Sequence, residues 1–517
     1  MKRNILFIVA LFFCALSFGQ GETDAYCYSN NDLSGTARGQ AMGGAFGALG
    51  GDVTGIAVNP AGIGVYRSSE IVANMSLTSP LISGNTNRQS NTSFHFDNLS
   101  YIGYYPLVKG NVLTLNFGFN YNRIKTFDQN YSTSRPTMNS SLTKYMAASA
   151  NNANGGRGID QNIWSTDYYA NPNVPWLSAL GFDGYVIDPI GNSNQYQSIL
   201  EPGEQVNPSL TVAERGRVEA YDFTIGSNIA DKFFWGATFT IVDLSYSLTS
   251  SYDESFLGDQ SRGMTLTNTL DTRGSGFQMK AGVIYKPVDA LRLSVAYHSP
   301  VWYSMTDFFQ GGLLPRGIKT DEGDLAGLTT TPDPNDAAFD YRFRTPGSWT
   351  FSAATVLGTQ AIISLDYEIK NYASMNLKDY NGNDLTDVNG IIKDDFKNTS
   401  TIRAGFEFRF TPQFSGRLGY AWMQNPYSSD IKSLGEIIVP VGTIPNYTLT
   451  GDVNYYTTGI GFRFTPQFYC DFALALRTQK DDLYYFPPNF SDPYADSFAG
   501  SFTNKSLKGL VTLGYRF

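Results

Sequence analysis

Two histidines, His95 and His298, and three cysteines, Cys14, Cys27 and Cys470, are all the imidazole and thiol groups that 517 residues offer to nucleophilic or metal chemistry. A nucleophile needs a base within hydrogen-bond reach and a third group to orient that base. Here the two histidines fall in separate strand-like segments, and no GxSxG, HExxH or cysteine cluster occurs. Axial ligation of haem asks for His, Cys, Met or Tyr in an enclosed site, so a lone His298 gives uptake of haem or another bulky ligand little support. Gly43-Gly44-Ala45-Phe46-Gly47 superficially resembles a phosphate-cradling loop. It lacks the GxxxxGK[ST] pattern and its lysine. Neither catalysis nor a cofactor nor a bound metal is expected.

The sequence instead places charges at alternate positions of aromatic segments: Lys280, Arg292, Asp366, Glu368, Arg403, Glu407, Arg409, Arg463, Asp471 and Arg477. Mixed in sign, they suit paired charges that brace a wall and dock a plug through Arg38, Asp52 and Arg67. The other reading is that an arginine, Arg403 or Arg409, holds the carboxylate head of a ligand.

The elements that must position them are strands in a membrane. Charged residues are 16% against the roughly 25% of soluble proteins, and aromatics reach 15% with 33 Tyr and 36 Phe. The first twenty residues read as a secretory signal peptide, with Lys2 and Arg3 ahead of an apolar run from Ile5 to Leu16 and a cut near Gly19 or Gln20. Phe12 and Phe13 before Cys14 argue against a lipid anchor. The exported chain retains Cys27 and Cys470, compatible with one bridge or two free thiols. Past the leader, no apolar run approaches the roughly 18 residues that a membrane helix requires. The formal charge of −9, about −11 once Lys2 and Arg3 leave, disfavours nucleic acid. An exported, aromatic, charge-poor chain of this kind points to a β-barrel in the outer membrane of a Gram-negative-type bacterium.

Thr401 to Thr411 carries the strand signature most clearly. Ile402, Ala404, Phe406, Phe408 and Phe410 share one face, and Arg403, Gly405, Glu407 and Arg409 the other. A membrane barrel sends the first set into lipid and the second into its lumen. About fourteen such strands are expected, starting near Ser69, Phe94, Val112, Val218, Phe233, Thr265, Leu291, Phe343, Ala361, Thr401, Ser415, Tyr455, Tyr469 and Lys505. One phase is irregular: Trp235, Ala237, Phe239 and Ile241 give way to Val242, Leu244, Tyr246 and Leu248. A bulge, or a strand that rises past the membrane, would explain it. Thr-Pro-Gln turns recur in Phe408–Phe414 and Phe462–Phe468 and mark the periplasmic end. The long segments 128–216, 307–341, 376–398 and 426–452 then face outward, the first with apolar residues enough for a folded cap.

Ahead of the strands, residues 21–67 hold a stretch rich in glycine and alanine that is also apolar, with Met42, Phe46, Leu49, Val53, Ile56 and Val58. Small residues let a backbone pass close to a wall, so this segment suits a plug inside the barrel formed by residues 68–517. Its Asn59-Pro60-Ala61-Gly62 turn re-aims the chain.

The leader, this plug ending in Asn59-Pro60-Ala61-Gly62, the strands, the Gly276–Pro300 hairpin and a terminal Phe517 together resemble the outer-membrane long-chain fatty-acid transporter family (FadL/TodX type). The resemblance implies an all-β, transmembrane antiparallel barrel of fourteen strands with an N-terminal hatch, a monomer that passes lipophilic solutes by passive diffusion. A hydrophobic small-molecule ligand is caught between outer loops, enters the lumen, and leaves sideways into outer-membrane lipid through a kink in the third strand near the NPA turn. Asn59, Pro60, Ala61 and Gly62 would face that kink, with Gly118 as its pivot. The family's capture groove lies between the third and fourth outer loops, whereas the longest here is the second. Trp164, Trp176, Leu180 and Phe182 in that loop are the candidate ligand patch, or simply the loop's own core. The terminal Phe517 resembles the signal read by the barrel-assembly machinery. Some relatives are barrel subunits or cargo shuttles of a protein-secretion apparatus, which gives the long loop an alternative use as a docking surface.

Overall fold

The structure, a computed structural model, describes residues 21–81, 87–88, 92–107, 110–333, 338–428, 431, 442–488 and 496–517. The expected leader, residues 1–20, lies outside them. Fourteen antiparallel strands form the wall: β1 Glu70–Leu81, β2 Ser93–Pro106, β3 Val112–Thr126, β4 Val206–Ile229, β5 Phe233–Phe256, β6 Gly263–Val288, β7 Leu291–His298 continued by Trp302–Arg316, β8 Phe339–Arg344 continued by Ser348–Leu357, β9 Ala361–Asn371, β10 Asn398–Arg409, β11 Phe414–Met423, β12 Tyr447–Arg463, β13 Phe468–Tyr484 and β14 Phe498–Arg516. β14 returns to β1 from Glu70↔Arg516 to Leu81↔Lys505, so the sheet has no free edge. No helix among the described residues is long and apolar enough to cross a membrane.

Strand starts agree with the sequence expectation to within a few residues except at β4, β12 and β14, which begin earlier. The reason is visible in β5. Phe239 and Ile241 are exposed on the outside, whereas Val242, Leu244, Tyr246 and Leu248 are buried on the inside. Pairing runs unbroken across this change on both sides, Tyr221↔Ile241↔Phe277 followed by Ala220↔Val242↔Gly276. There is no bulge. The strand leaves the hydrocarbon at this level, and above it water lies outside while apolar side chains pack inward. That upper core joins Leu244, Tyr252, Leu266, Phe309 and Leu313 to the segment between β3 and β4. This segment folds as a cap with helices at Leu142–Gly156 and Trp176–Asp183 and a small hairpin pairing Ile187–Pro189 with Tyr196–Ser198.

At the opposite end the turns are tight. In the two Thr-Pro-Gln turns the threonine hydroxyl accepts from the backbone N–H groups two and three residues on, Thr411 from Gln413 and Phe414 at 3.3 and 3.0 Å, Thr465 from Gln467 and Phe468 at 3.2 and 2.9 Å. β7 and β8 break side by side at Pro300 and Pro346, neither of which can donate to a ladder. Side chains bridge the breaks. Ser299 Oγ accepts from Met279 N–H at 2.9 Å and Thr345 Oγ1 from Val301 N–H at 2.8 Å.

The lumen is filled by the chain's own N-terminal part. Three short helices, α1 Glu22–Ser29, α2 Ala37–Ala41 and α3 Val53–Val58, are followed by a 3₁₀ turn over Pro60–Val65. Thr36, Asp52 and Asn59 cap the last three, accepting from Gly39, Thr54 and Ala61 N–H at 3.0, 2.9 and 3.0 Å. Glycine allows contact of backbone on backbone: a Cβ at Gly419 of the wall would lie 2.1 Å from Gly43 N, and one at Gly236 would lie 2.2 Å from Pro60 O.

Candidate functional site: the lumen and a slot in its wall

The charged lumen residues sort by depth. Glu407 accepts from Arg38 of the hatch at 2.8 Å and from Arg417 at 2.7 Å, and Arg417 reaches Asp471 at 2.6 Å. Lys280 pairs with Asp222 at 2.9 Å. Asp366 accepts from Gly47 N–H at 3.0 Å, and Arg292 donates to the Leu49 carbonyl. These groups hold the hatch and each other. Arg403 pairs with Glu368 and packs beneath Gly44, so its guanidinium belongs to this bracing. Arg409 and Arg463 depart from the expectation. Both are exposed at the turn end, outside the lumen, with Arg409 bonded to the Thr359 carbonyl at 3.4 Å. The hatch's own charges divide likewise: Asp52 caps inside the hatch, and Arg67 meets Asp231 at 2.9 Å on the rim.

Asn59 reaches Gly47 O at 2.8 Å and Val283 O at 3.4 Å, so the Asn59-Pro60-Ala61-Gly62 turn faces β5 and β6. The expected approach to β3 is made just after the turn by Ile63 and Tyr66, whose carbonyls accept from Asn116 at 2.7 and 3.3 Å. Gly118 is no pivot. It is paired on both sides, Ile102↔Gly118↔Thr224, in unbroken ladder.

The third strand is irregular higher up. Between Arg123↔Glu219 and Lys125↔Val218 one extra residue, Ile124, is bulged, and its carbonyl accepts from Asp32 N–H of the hatch at 3.0 Å. Above Asn98↔Asn122, β2 and β3 no longer pair. Among the described residues they meet again where Arg88↔Tyr131 joins their outward extensions. The wall thus has a slot bounded by ladder above and below. Phe94 and Phe96 are exposed on its outer lip, and Arg123 crosses it to His95 Nδ1 at 2.7 Å. At its foot Asn98 donates to Tyr121 O at 3.0 Å and Asn122 Oδ1 at 2.6 Å.

Inside the slot lies a cavity of about 330 Å³. One side is apolar, with Tyr26, Phe127, Tyr246, Leu248 and Leu270, and the other is mixed in charge, with His95, Lys125, Arg477 and Lys508 set among Asp32, Asp128, Glu214 and Asp481. Asp24 of α1 lines it too; burial pushes that carboxyl up to about 8, aided by Asp307 and opposed by Gly21 N–H. Cys27 beside it is a free thiol that burial pushes up to about 12, and Cys470 is also unpaired. His298, the other histidine, meets Val58 O of the hatch at 3.0 Å. Among the described residues no three His, Cys, Asp or Glu side chains gather as a metal site would require.

The four apolar cap residues proposed from sequence stay in the cap. Trp176 and Leu180 are buried, and Trp164 stacks on Phe182 with centroids 4.2 Å apart. None lines the cavity; they form the cap's own core. Sequence reasoning missed His95, Arg123, Ile124 and Asp32. Only the histidine set into an aromatic strand, between Phe94 and Phe96, was a signal that could have found them.

Residues 228–485 match the family described as outer membrane protein transport protein (OMPP1/FadL/TodX). Outer membrane protein P1 of Haemophilus influenzae is 24% identical over 232 residues, 40% of this chain, and the match spans only about half, 50%, of that relative's length. The crystal structure of a Pseudomonas aeruginosa FadL homologue superposes with a TM-score of 0.53 at 12% identity, covering 95% of this chain and 100% of the other. The Ralstonia pickettii toluene transporter TbuX gives a TM-score of 0.48 at 14% identity over 93% and 98% of the two chains.

Proposed function

The chain belongs to the outer membrane protein transport family (OMPP1/FadL/TodX), and from that premise we propose that it is a passive channel releasing lipophilic solutes sideways through the slot between β2 and β3. The observation that carries this reading is that His95 and Lys125, from the two sides of the slot, also line the lumenal cavity, while Phe94 and Phe96 stand exposed on the slot's outer lip. A long apolar solute gains about 0.8 kcal/mol per methylene on leaving water. A route from lumen to bilayer avoids returning it to water, and a downhill gradient needs no energy source. The two-sided cavity suits an amphiphile such as a long-chain fatty acid, with its chain against Tyr246 and Leu270 and its polar head on the mixed-charge side, where Lys125, Arg477 and Lys508 stand among Asp32, Glu214 and Asp481.

The test closes the slot. In a Cys27→Ser, Cys470→Ala background, His95→Cys with Arg123→Cys is bridged by a short bis-maleimide, and uptake of labelled oleate is followed in whole cells. Bridging is expected to lower the rate at least tenfold relative to the same variant unbridged. Unchanged uptake in a fully bridged sample would refute sideways release. Purified barrel that holds no lipid and brings down a large protein partner would favour the docking role instead.

A further inference from the structure

On the outside of β5 to β8 the outward side chains change at one level from rings to guanidinium, hydroxyl and carboxylate. Phe277 and Trp302 stack with centroids 5.1 Å apart and are both exposed. The next outward-facing row is Ser275↔Ser304↔Arg342, and the one above it Arg273↔Thr306↔Asp340. Arg273 and Arg342 are exposed, and together with Asp243, Tyr380 and the intervening serines they line an outward-opening groove of about 590 Å³. Arg273 rests over the Phe308 ring at 5.7 Å, and Thr306 occupies Asp340 with a hydrogen bond of 2.6 Å.

The groove sits directly on the edge of the lipid-facing belt, so an occupant must lie at headgroup depth with its apolar part below. Two guanidiniums about two strand spacings apart, roughly 10 Å, offer bidentate forks suited to phosphate. The carboxylates and hydroxyls between them suit sugar hydroxyls. We propose that this groove binds the phosphorylated headgroup of an outer-leaflet glycolipid. Arg273 and Arg342 take its phosphates, and its acyl chains lie down over Phe277, Trp302 and Trp349. A soluble protein partner would have no use for rings immersed in hydrocarbon, whereas a lipid uses both halves of the surface.

The experiment titrates the detergent-solubilised full chain with bis-phosphorylated lipid A and with lipid A stripped of phosphate, counting bound lipid by native mass spectrometry. The phosphorylated form is expected to bind at least tenfold more tightly. That preference should vanish in Arg273→Ala/Arg342→Ala, survive in part in Arg273→Lys/Arg342→Lys, and persist in Arg157→Ala in the cap. Excess inorganic phosphate should not displace the lipid. Equal binding of both lipids by the wild type, or an unaltered preference in the double alanine variant while its folded band on unheated gels is normal, overturns the proposal. Loss of a co-purifying protein in place of lipid overturns it equally.

Discussion

Asp32 donates its backbone N–H to the carbonyl of Ile124 at 3.0 Å, so the bulge in the third strand beside the slot is held by the hatch itself. Opening in the wall and position of the plug are therefore linked by this backbone contact and by Lys125, whose ammonium donates to the Cys27 carbonyl of the hatch.

Asp32→Pro removes that N–H and, with the side chain, the contacts its carboxylate makes to Tyr455 at 3.3 Å and Arg477 at 3.8 Å, which Asp32→Ala alone would also lose. It should cost about 1 kcal/mol at the contact, free Ile124 to return toward ladder register, and lower oleate uptake severalfold. Asp32→Asn keeps the donor and should transport nearly as the wild type does. Equal rates for the two variants would separate the slot from the hatch.

Glu407 is shared by Arg38 and Arg417, and its side chain is only 5% exposed. Glu407→Gln leaves two guanidiniums facing Asp471 alone, a loss of about 3 to 5 kcal/mol. The temperature at which the folded band disappears on gels should drop markedly. Adding Arg38→Gln should restore part of it, a non-additivity that marks direct coupling.

A Cβ at Gly118 would approach Ile102 Cδ1 to 2.8 Å and the hatch's Ile63 Cδ1 to 3.1 Å. Gly118→Leu should therefore destabilise by about 1 to 3 kcal/mol through overpacking. Since the slot lies higher on the strand, uptake per folded molecule should stay within about twofold by the same labelled-oleate assay. A collapse of uptake without loss of stability would return the exit to Gly118.

Asp24 titrates at about 8 when docked, against 3.8 for the free side chain. Its raised value means that the docked state binds the proton more tightly. The stabilisation is complete below about pH 4 and is lost as pH rises through about 8. Hydrogen exchange in residues 22–29, corrected for intrinsic rate, should show protection falling over that window. In Asp24→Asn the slope should flatten.

The wall was largely readable from sequence because alternation of ring and charge, as in Ile402 to Phe410, has one physical solution in lipid. The hatch was readable because glycine and apolar residues together make sense only against a wall. The slot was not. A missing ladder is a relation between two strands, and apart from His95 neither Phe94–Asp97 nor Arg123–Thr126 differs in composition from its neighbours. The cap's aromatic residues misled in the opposite direction. Trp176 and Leu180 look available until the helix that buries them is seen. Arg409 alternates perfectly with Arg403, yet its strand ends there, and a side chain at a strand's last residue faces the rim.

The switch between Ile241 and Val242 also fixes how deeply the molecule sits. Sliding the barrel downward by one pair of residues would press Asp243 and Arg342 into oil, and sliding it upward would strip Phe277 and Trp302 of their hydrocarbon. The strands carry their own waterline, and it holds the slot at a constant height in the leaflet whatever the loops above are doing.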